Sequence, residues 1–213
     1  MNITHATDEQ VTGDKLKAIF DRQRELMSKY HHIEVKSGLC QTEDLPVNLD
    51  DKRGQARIKD FAWRIVEELG EALDGREDEN HLKEELVDGL HFLTELTILV
   101  GKDYDNIIRS EPVIYEGYLE FILKLNIYSH LFILEMRVSN FIQELGMLCN
   151  CLKNKPWKQT HMKTDKEAFF HRLEKVWISY LSILNNVGMT PEDIVNTYLK
   201  KSQVNGFRIR SQY

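Results

Sequence analysis

"EELGEALDGREDENHLKEELVDGLHF", Glu67 to Phe92, places acidic residues twice in one arrangement, first as "EELGE" and then as "EELVD". At about 100° per residue, Glu67, Glu71 and Glu68 fall at roughly 0°, 40° and 100° around a helix. Glu84, Asp88 and Glu85 repeat those three angles on the next. Ile65, Leu69, Ala72 and Leu73 form the apolar side of the first helix. Thirteen residues lie between Glu71 and Glu85, enough for a turn and the start of an antiparallel partner. The stretch therefore predicts a helical hairpin whose two acid arcs face each other near one end.

Two solvated helix faces would satisfy the same pattern. Four to six carboxylates converging at one place would instead repel unless cations neutralised them. Oxygen-only donors select a hard ion, Mg²⁺ or Mn²⁺, and such ions commonly bind substrate phosphates, which points to phosphoryl chemistry. Asp88 and His91 also form a D-x-x-H, similar to the E-x-x-H of di-iron bundles. Those sites need two such motifs and two further glutamates, and no second motif occurs here. His91 is read as a core residue or one standing behind the ligands.

The rest of the chain predicts an all-α protein, a bundle of about six helices in a single domain spanning 1–213. Apolar residues recur at helical spacing, and no hairpin turn signal interrupts them. With 4 prolines and 11 glycines in 213 residues, long helices go unbroken. Helices are expected near 14–33, 56–74, 80–100, 115–153 (bent or broken within), 165–187 and 191–208, with a polar loop over 36–55. A faint repeat pairs "VEELGEALDG" at 66–75 with "IQELGMLCNC" at 142–151, and "VGKDYDNI" at 100–107 with "VGMTPEDI" at 187–194. The chain thus reads as a degenerate duplication of a helical hairpin in which only the first copy keeps its acids. A solvated face would have no reason to lose its charge on one side only.

Composition excludes several classes. The hydrophobic fraction is 42%, the charged fraction 29% and the net charge −6, as in an ordinary globular protein with no general affinity for nucleic acid or anionic membrane. The most apolar stretch, "YLEFILKLNIYSHLFILEM", is interrupted by Glu120, Lys124, Asn126 and His130, so a core helix is expected and no spanning one. The start lacks the basic-then-apolar order of a secretory signal. Three cysteines, with Cys149 and Cys151 unsuited to a metal pair, fit free thiols in the cytoplasm.

At the other end, Lys201, Asn205 and Arg208 lie at about 0°, 40° and −20° if 198–208 is helical. A lysine and an arginine flanking an amide would suit a phosphate and a sugar. A basic helix end favoured by the macrodipole is the alternative.

"EELGE", twelve residues and "EELVD" together resemble the EExxE…ExxD signature of the all-α nucleoside triphosphate pyrophosphohydrolases, the MazG and dimeric dUTPase superfamily. The closing "VGMTPEDIVNTYLKKSQVNGFRIRSQY" is similar to that of the dimeric dUTPases and phage dCTPase–dUTPases. The resemblance implies Mg²⁺, or Mn²⁺, held by Glu68, Glu71, Glu85 and Asp88, with Glu68 also activating the attacking water. Glu67, Glu84 and His91 would stand behind these ligands. It implies Lys201 and Arg208 on phosphate, and Gln23, Asn205 and Tyr213 on sugar and base. It further implies a homodimer in the cytoplasm of a bacterial or phage-infected cell, converting a deoxynucleotide, dUTP first and dCTP next, to its monophosphate and pyrophosphate. A purine or modified deoxynucleotide is an alternative substrate, and a non-catalytic nucleotide-binding protein an alternative role.

Base recognition departs from the pattern. The family carries Q-x-x-L-N in its first helix; here Gln23 and Leu26 are followed by Met27. A W-K segment that would follow the first acid helix appears instead as "KPWK" at 155–158, around Trp157, and the terminal "SQY" lacks the usual glycine. A thioether cannot supply the hydrogen bonds that tell one base from another.

Overall fold

The acid hairpin exists because its polar residues start and stop helices where the apolar periodicity needs them. In a computed structural model describing residues 11, 13–38, 45–108, 117–125 and 133–211, Asp51 caps α2 (Lys52–Asp74) by accepting from the Arg53 amide. Asp78 caps α3 (Glu79–Leu99) through the amides of Asn80 and His81. Such caps contribute about 1 kcal/mol each. The Asp51 cap starts α2 at Lys52, earlier than the expected 56, because "DDKRG" supplies a cap and then a helical turn. Asp14 caps α1 (Lys15–Ser37) in the same way, and Gly38 closes it with φ 79°. Helix α1 thereby takes in the first residues expected of the polar loop.

The expected 115–153 helix is two helices, α4 (Tyr118–Lys124) and α5 (Leu134–Cys151). Ile133 is extended at φ −69° and ψ 158°, so a continuous helix cannot pass through it. α6 (Lys166–Asn186) begins at an Asp165 cap. α7 (Pro191–Arg210) begins with Thr190 and Asp193 in a reciprocal capping box and Pro191 in the first turn. The described residues hold these seven helices and no strand, so the chain is an all-α bundle. None of the helices is long and apolar enough to cross a membrane. Cys149 and Cys151 carry free thiols, while Cys40 and Tyr213 lie outside the described residues.

Helix α3 is the spine. Helix α2 packs along it, as α5 packs along α6, and α1, α6 and α7 also lie against it. Its buried residues run from Leu82 to Leu99 and include Leu86, Val87, Leu90, Leu93 and Leu96. Because neighbours surround it, its apolar positions are not confined to one stripe.

Two polar contacts fix α6 on this spine: Trp177 Nε1 donates to Thr97 Oγ1 at 2.9 Å, and Tyr180 donates to the Leu86 carbonyl at 2.6 Å. Tyr180 can reach that carbonyl only because residue 89 is glycine. A Cβ there would lie 2.2 Å from the tyrosine oxygen and 3.5 Å from Glu68 Cβ.

A separate polar knot joins the loop before α2 to the loop before α6. Buried Gln55 donates to the Leu49 carbonyl at 2.8 Å and accepts from the Asn154 amide at 2.8 Å. Asn154 in turn donates to the Asp50 and Met162 carbonyls. Trp157, in the second loop, is 77% exposed.

Gly89→Ala gains roughly 1 kcal/mol of helix propensity yet is expected to lower stability by about 1–3 kcal/mol, as overpacking does. Urea denaturation checks this: a midpoint at or above that of the parent would mean that Tyr180 yields freely.

Candidate active site

The hairpin brings together three of the acids that its sequence singles out. Carboxylate oxygens of Glu68 on α2 and of Glu85 and Asp88 on α3 all lie within 4.8 Å of one another. Among the described residues this is the group of acids and histidines that could hold a metal ion. Glu71, one turn further along α2, is exposed and outside that trio, though its charge still acts on Glu68. Glu67 is exposed on the outer face of α2. Glu84 points toward α7, its oxygens 3.7 Å from Lys200 Nζ and 3.8 Å from Lys201 Nζ.

Half-burial makes the trio electrostatically costly. Glu68 is pushed up to about 8, first by loss of solvent and then by Asp88, Glu85 and Glu71. Asp88 is raised as well, by burial above all, although Lys201 pulls it back. Lys201 Nζ lies 2.6 Å from Asp88 Oδ2. Burial disfavours the ammonium, but the hydrogen bond and charge of Asp88, with help from Glu85 and Glu84, hold its pKa above the ordinary lysine value. Lys201 is thus the counter-charge of the acids, delivered by α7 from more than 100 residues away in sequence. Arg208, exposed two turns further along α7, also favours the Asp88 carboxylate through its charge.

A cavity of about 560 Å³ opens beside the trio. Glu68, Asp88 and Arg208 line one part of it. Asn205, Gln23, His91 and Glu95 line it further along, with Phe61 and Phe92 as apolar wall. Gln23, only 2% exposed, donates to Glu95 Oε2 at 2.9 Å and accepts from Tyr198 at 2.7 Å. His91 Nδ1 lies 3.0 Å from Gln23 Oε1, and its ring stacks on Tyr198 at 3.6 Å. Burial lowers the His91 pKa to about 3, so the ring is neutral and belongs to this network. Met27 is absent from the cavity wall. It lines a neighbouring cavity of about 820 Å³ on another side of α1, with Arg24, His31 and Lys102.

The donor set suits a hard divalent cation: all oxygen, all carboxylate, mutually repelling, and reached from a cavity. Sequence reasoning missed Glu95, Tyr30 and Tyr198. Glu95 carried a signal, since it is the one acid within the apolar run "LTELTIL" and stands one turn after His91. The two tyrosines carried none, because a buried aromatic on a helix reads as ordinary core.

A family model described as dUTPase matches residues 72–213. The match takes in Glu85, Asp88, His91, Glu95 and the whole of α7, and begins just after Glu68 and Glu71. No curated protein and no solved structure matches the chain. With two-thirds of its length covered, including both the second acid block and the cationic helix that answers it, the chain belongs to the dUTPase family.

Proposed function

We propose that the chain is a Mg²⁺-dependent deoxynucleoside triphosphate pyrophosphohydrolase, with dUTP as leading substrate, dCTP next, and a monophosphate and pyrophosphate as products. The observation that carries this reading is the trio Glu68, Glu85 and Asp88 within 4.8 Å, with Glu68 and Asp88 lining a cavity whose wall also includes the buried hydrogen-bonding network of Gln23, His91 and Glu95. A hard cation at one end and hydrogen-bonding groups at the other suit a molecule with phosphates at one end and a base at the other.

In this proposal Glu68, Glu71, Glu85 and Asp88 would hold Mg²⁺, for which Mn²⁺ could substitute, the trio Glu68, Glu85 and Asp88 being the acids already gathered within 4.8 Å. The ion supplies neutralisation of triphosphate oxygens and acidifies water near neutral pH. Glu68, half-buried in the acid cluster, takes the proton of the attacking water. Lys201 exchanges its contact with Asp88 for the phosphate chain, Arg208 grips the same chain, and Asn205 faces the sugar. Glu67 and Glu84 stand outside this set, and Tyr213 completes the sugar and base contacts. The homodimer expected of the family belongs to the same proposal, with light scattering at micromolar concentration as its check.

Pyrophosphate release is measured across a panel of ribo- and deoxynucleoside triphosphates, with Mg²⁺ and with chelator. Turnover is expected for dUTP or dCTP and only with the metal. Glu68→Gln and Asp88→Asn are expected to lower kcat/KM by at least about 100-fold. A panel with no turnover ends the enzyme reading, and unimpaired variants end the site assignment.

The raised Glu68 pKa sets a second expectation. A carboxyl whose folded value exceeds its unfolded one contributes stability at low pH, and this is lost as pH rises through about 8. Without metal, the melting temperature of the parent relative to Glu68→Gln should therefore fall between pH 6 and pH 9. Mg²⁺ should stabilise the parent more at pH 8.5 than at pH 6. Differential scanning fluorimetry reads both, and a pH-independent difference would contradict them.

A further inference from the structure

The segment between α5 and α6 has a chemistry opposite to that of the acid site. From Leu152 to Thr164 the chain runs "LKNKPWKQTHMKT", four lysines and a histidine with no acid among them. The net charge of −6 is an average that conceals this local excess of positive charge. The ion pairs of the described residues take in Lys15, Lys17, Lys29, Lys83, Lys200 and Lys201, but none of Lys153, Lys155, Lys158 and Lys163. Asp165, next along the chain, is engaged in capping α6. Lys59 of α2 adds a further cation beside the loop, its Nζ donating to the Leu152 carbonyl at 3.1 Å. Burial, and then the Lys155 ammonium, lower the Lys59 pKa to about 8, as an unneutralised neighbour of like charge does.

Trp157 stands in the middle of this run and is 77% exposed. Residues 156–163 are all exposed, yet the backbone beneath them is pinned. Buried Asn154 donates to the Met162 carbonyl at 2.7 Å and accepts from the Met162 amide at 2.8 Å. Lys52 Nζ donates to the carbonyls of Pro156 at 3.3 Å and Lys158 at 2.6 Å, one on each side of the tryptophan. The Thr164 amide donates to Asp50 Oδ1 at 2.6 Å. An indole held out on a fixed backbone meets a partner with little further ordering. The partner is not the substrate of the acid site. Lys52 and Glu68 are sixteen residues apart on α2, about 24 Å along its axis.

We propose that the 152–164 loop is a binding surface for single-stranded nucleic acid, with Trp157 stacking on a base and Lys155 and Lys158 pairing with the phosphates beside it. This is independent of the hydrolase function. An exposed aromatic ring with lysines on both sides matches a single strand, which offers a π face with every base and a charge at every backbone step. A duplex keeps those faces inside its stack. Gln159, Thr160 and His161 follow the indole, and their polar groups suit base edges and oppose entry into hydrocarbon. The loop thus favours a polynucleotide over an anionic membrane, to which lysines alone would also be drawn.

Fluorescence anisotropy of a labelled oligothymidine of about 20 nucleotides, titrated with the full chain at about 50 and about 200 mM salt, tests this. The parent is expected to bind, and more weakly at the higher salt. Trp157→Ala is expected to weaken binding about tenfold, the loss of one stacked base. Lys155→Gln combined with Lys158→Gln is expected to weaken it too and to lower the salt slope by about 1.4. Circular dichroism verifies that both variants keep the helical fold. A parent that leaves the strand free overturns the proposal, as does a folded Trp157→Ala variant that binds like the parent. Equal affinity of the parent for the strand paired with oligodeoxyadenosine overturns it too, as does a salt slope that the lysine variant leaves unchanged. Co-sedimentation of the parent with phosphatidylserine-containing vesicles, undiminished by excess oligothymidine, also overturns it, since the loop then serves a membrane.

Discussion

Mutual repulsion among Glu68, Glu85 and Asp88 is the constraint on which the rest of the structure turns. Three carboxylates within 4.8 Å and partly out of water oppose folding, as the raised values of Glu68 and Asp88 express. Something must force them together. Helix α6 closes over the hairpin because residue 89 has no side chain, which lets the Tyr180 hydroxyl reach the Leu86 carbonyl beside Glu68. The apolar contacts of Ile65, Leu69, Leu86 and Leu90, all fully buried or nearly so, supply the favourable free energy. Each such side chain contributes about 1.5–3 kcal/mol on burial, enough in sum to hold a strained cluster of charge.

The chain meets the remaining repulsion from a distance. Lys201 comes from the last helix, and its ion pair with Asp88 links the fixing of α7 to the presence of the acids. A cation on a helix near the end of the chain is a replaceable partner in a way that one within the hairpin would not be. Helix α7 is itself anchored by buried Ile194, Val195 and Tyr198.

Much of this was legible in sequence. The 3.6 periodicity located the long helices, and the doubled acid pattern identified Glu68, Glu85 and Asp88, because spacing on a helix translates directly into shared faces. The angles also put Glu71 nearer the centre of its arc than Glu68, whereas it is Glu68 that meets Asp88. Angular position ignores which helix lies opposite, and α3 packs against α2 on the Glu68 side. The break between α4 and α5 lacked a proline or glycine to announce it. Met27, which stands where the resembling motif has an asparagine and cannot supply its hydrogen bonds, is turned by the rotation of α1 into the neighbouring cavity. Glu95 went unread because its environment is made by three helices, and only their packing shows that its second oxygen is bare.

The same helices serve both ends of the cavity. On α3, Asp88 and Glu95 are separated by seven residues, about two turns or 10 Å along the axis. On α7, Lys201 meets the acids while Tyr198, one turn earlier, meets Gln23. On α1, Gln23 and Tyr30 both end on Glu95. A shift of α7 along its axis would therefore disturb the counter-charge of Asp88 and the network behind Glu95 together. The acid cluster and the buried network are thus coupled mechanically through α7. In the structure α7 takes the position in which Tyr198 is bonded to Gln23. That position is also the one that sets Lys201 beside the acids.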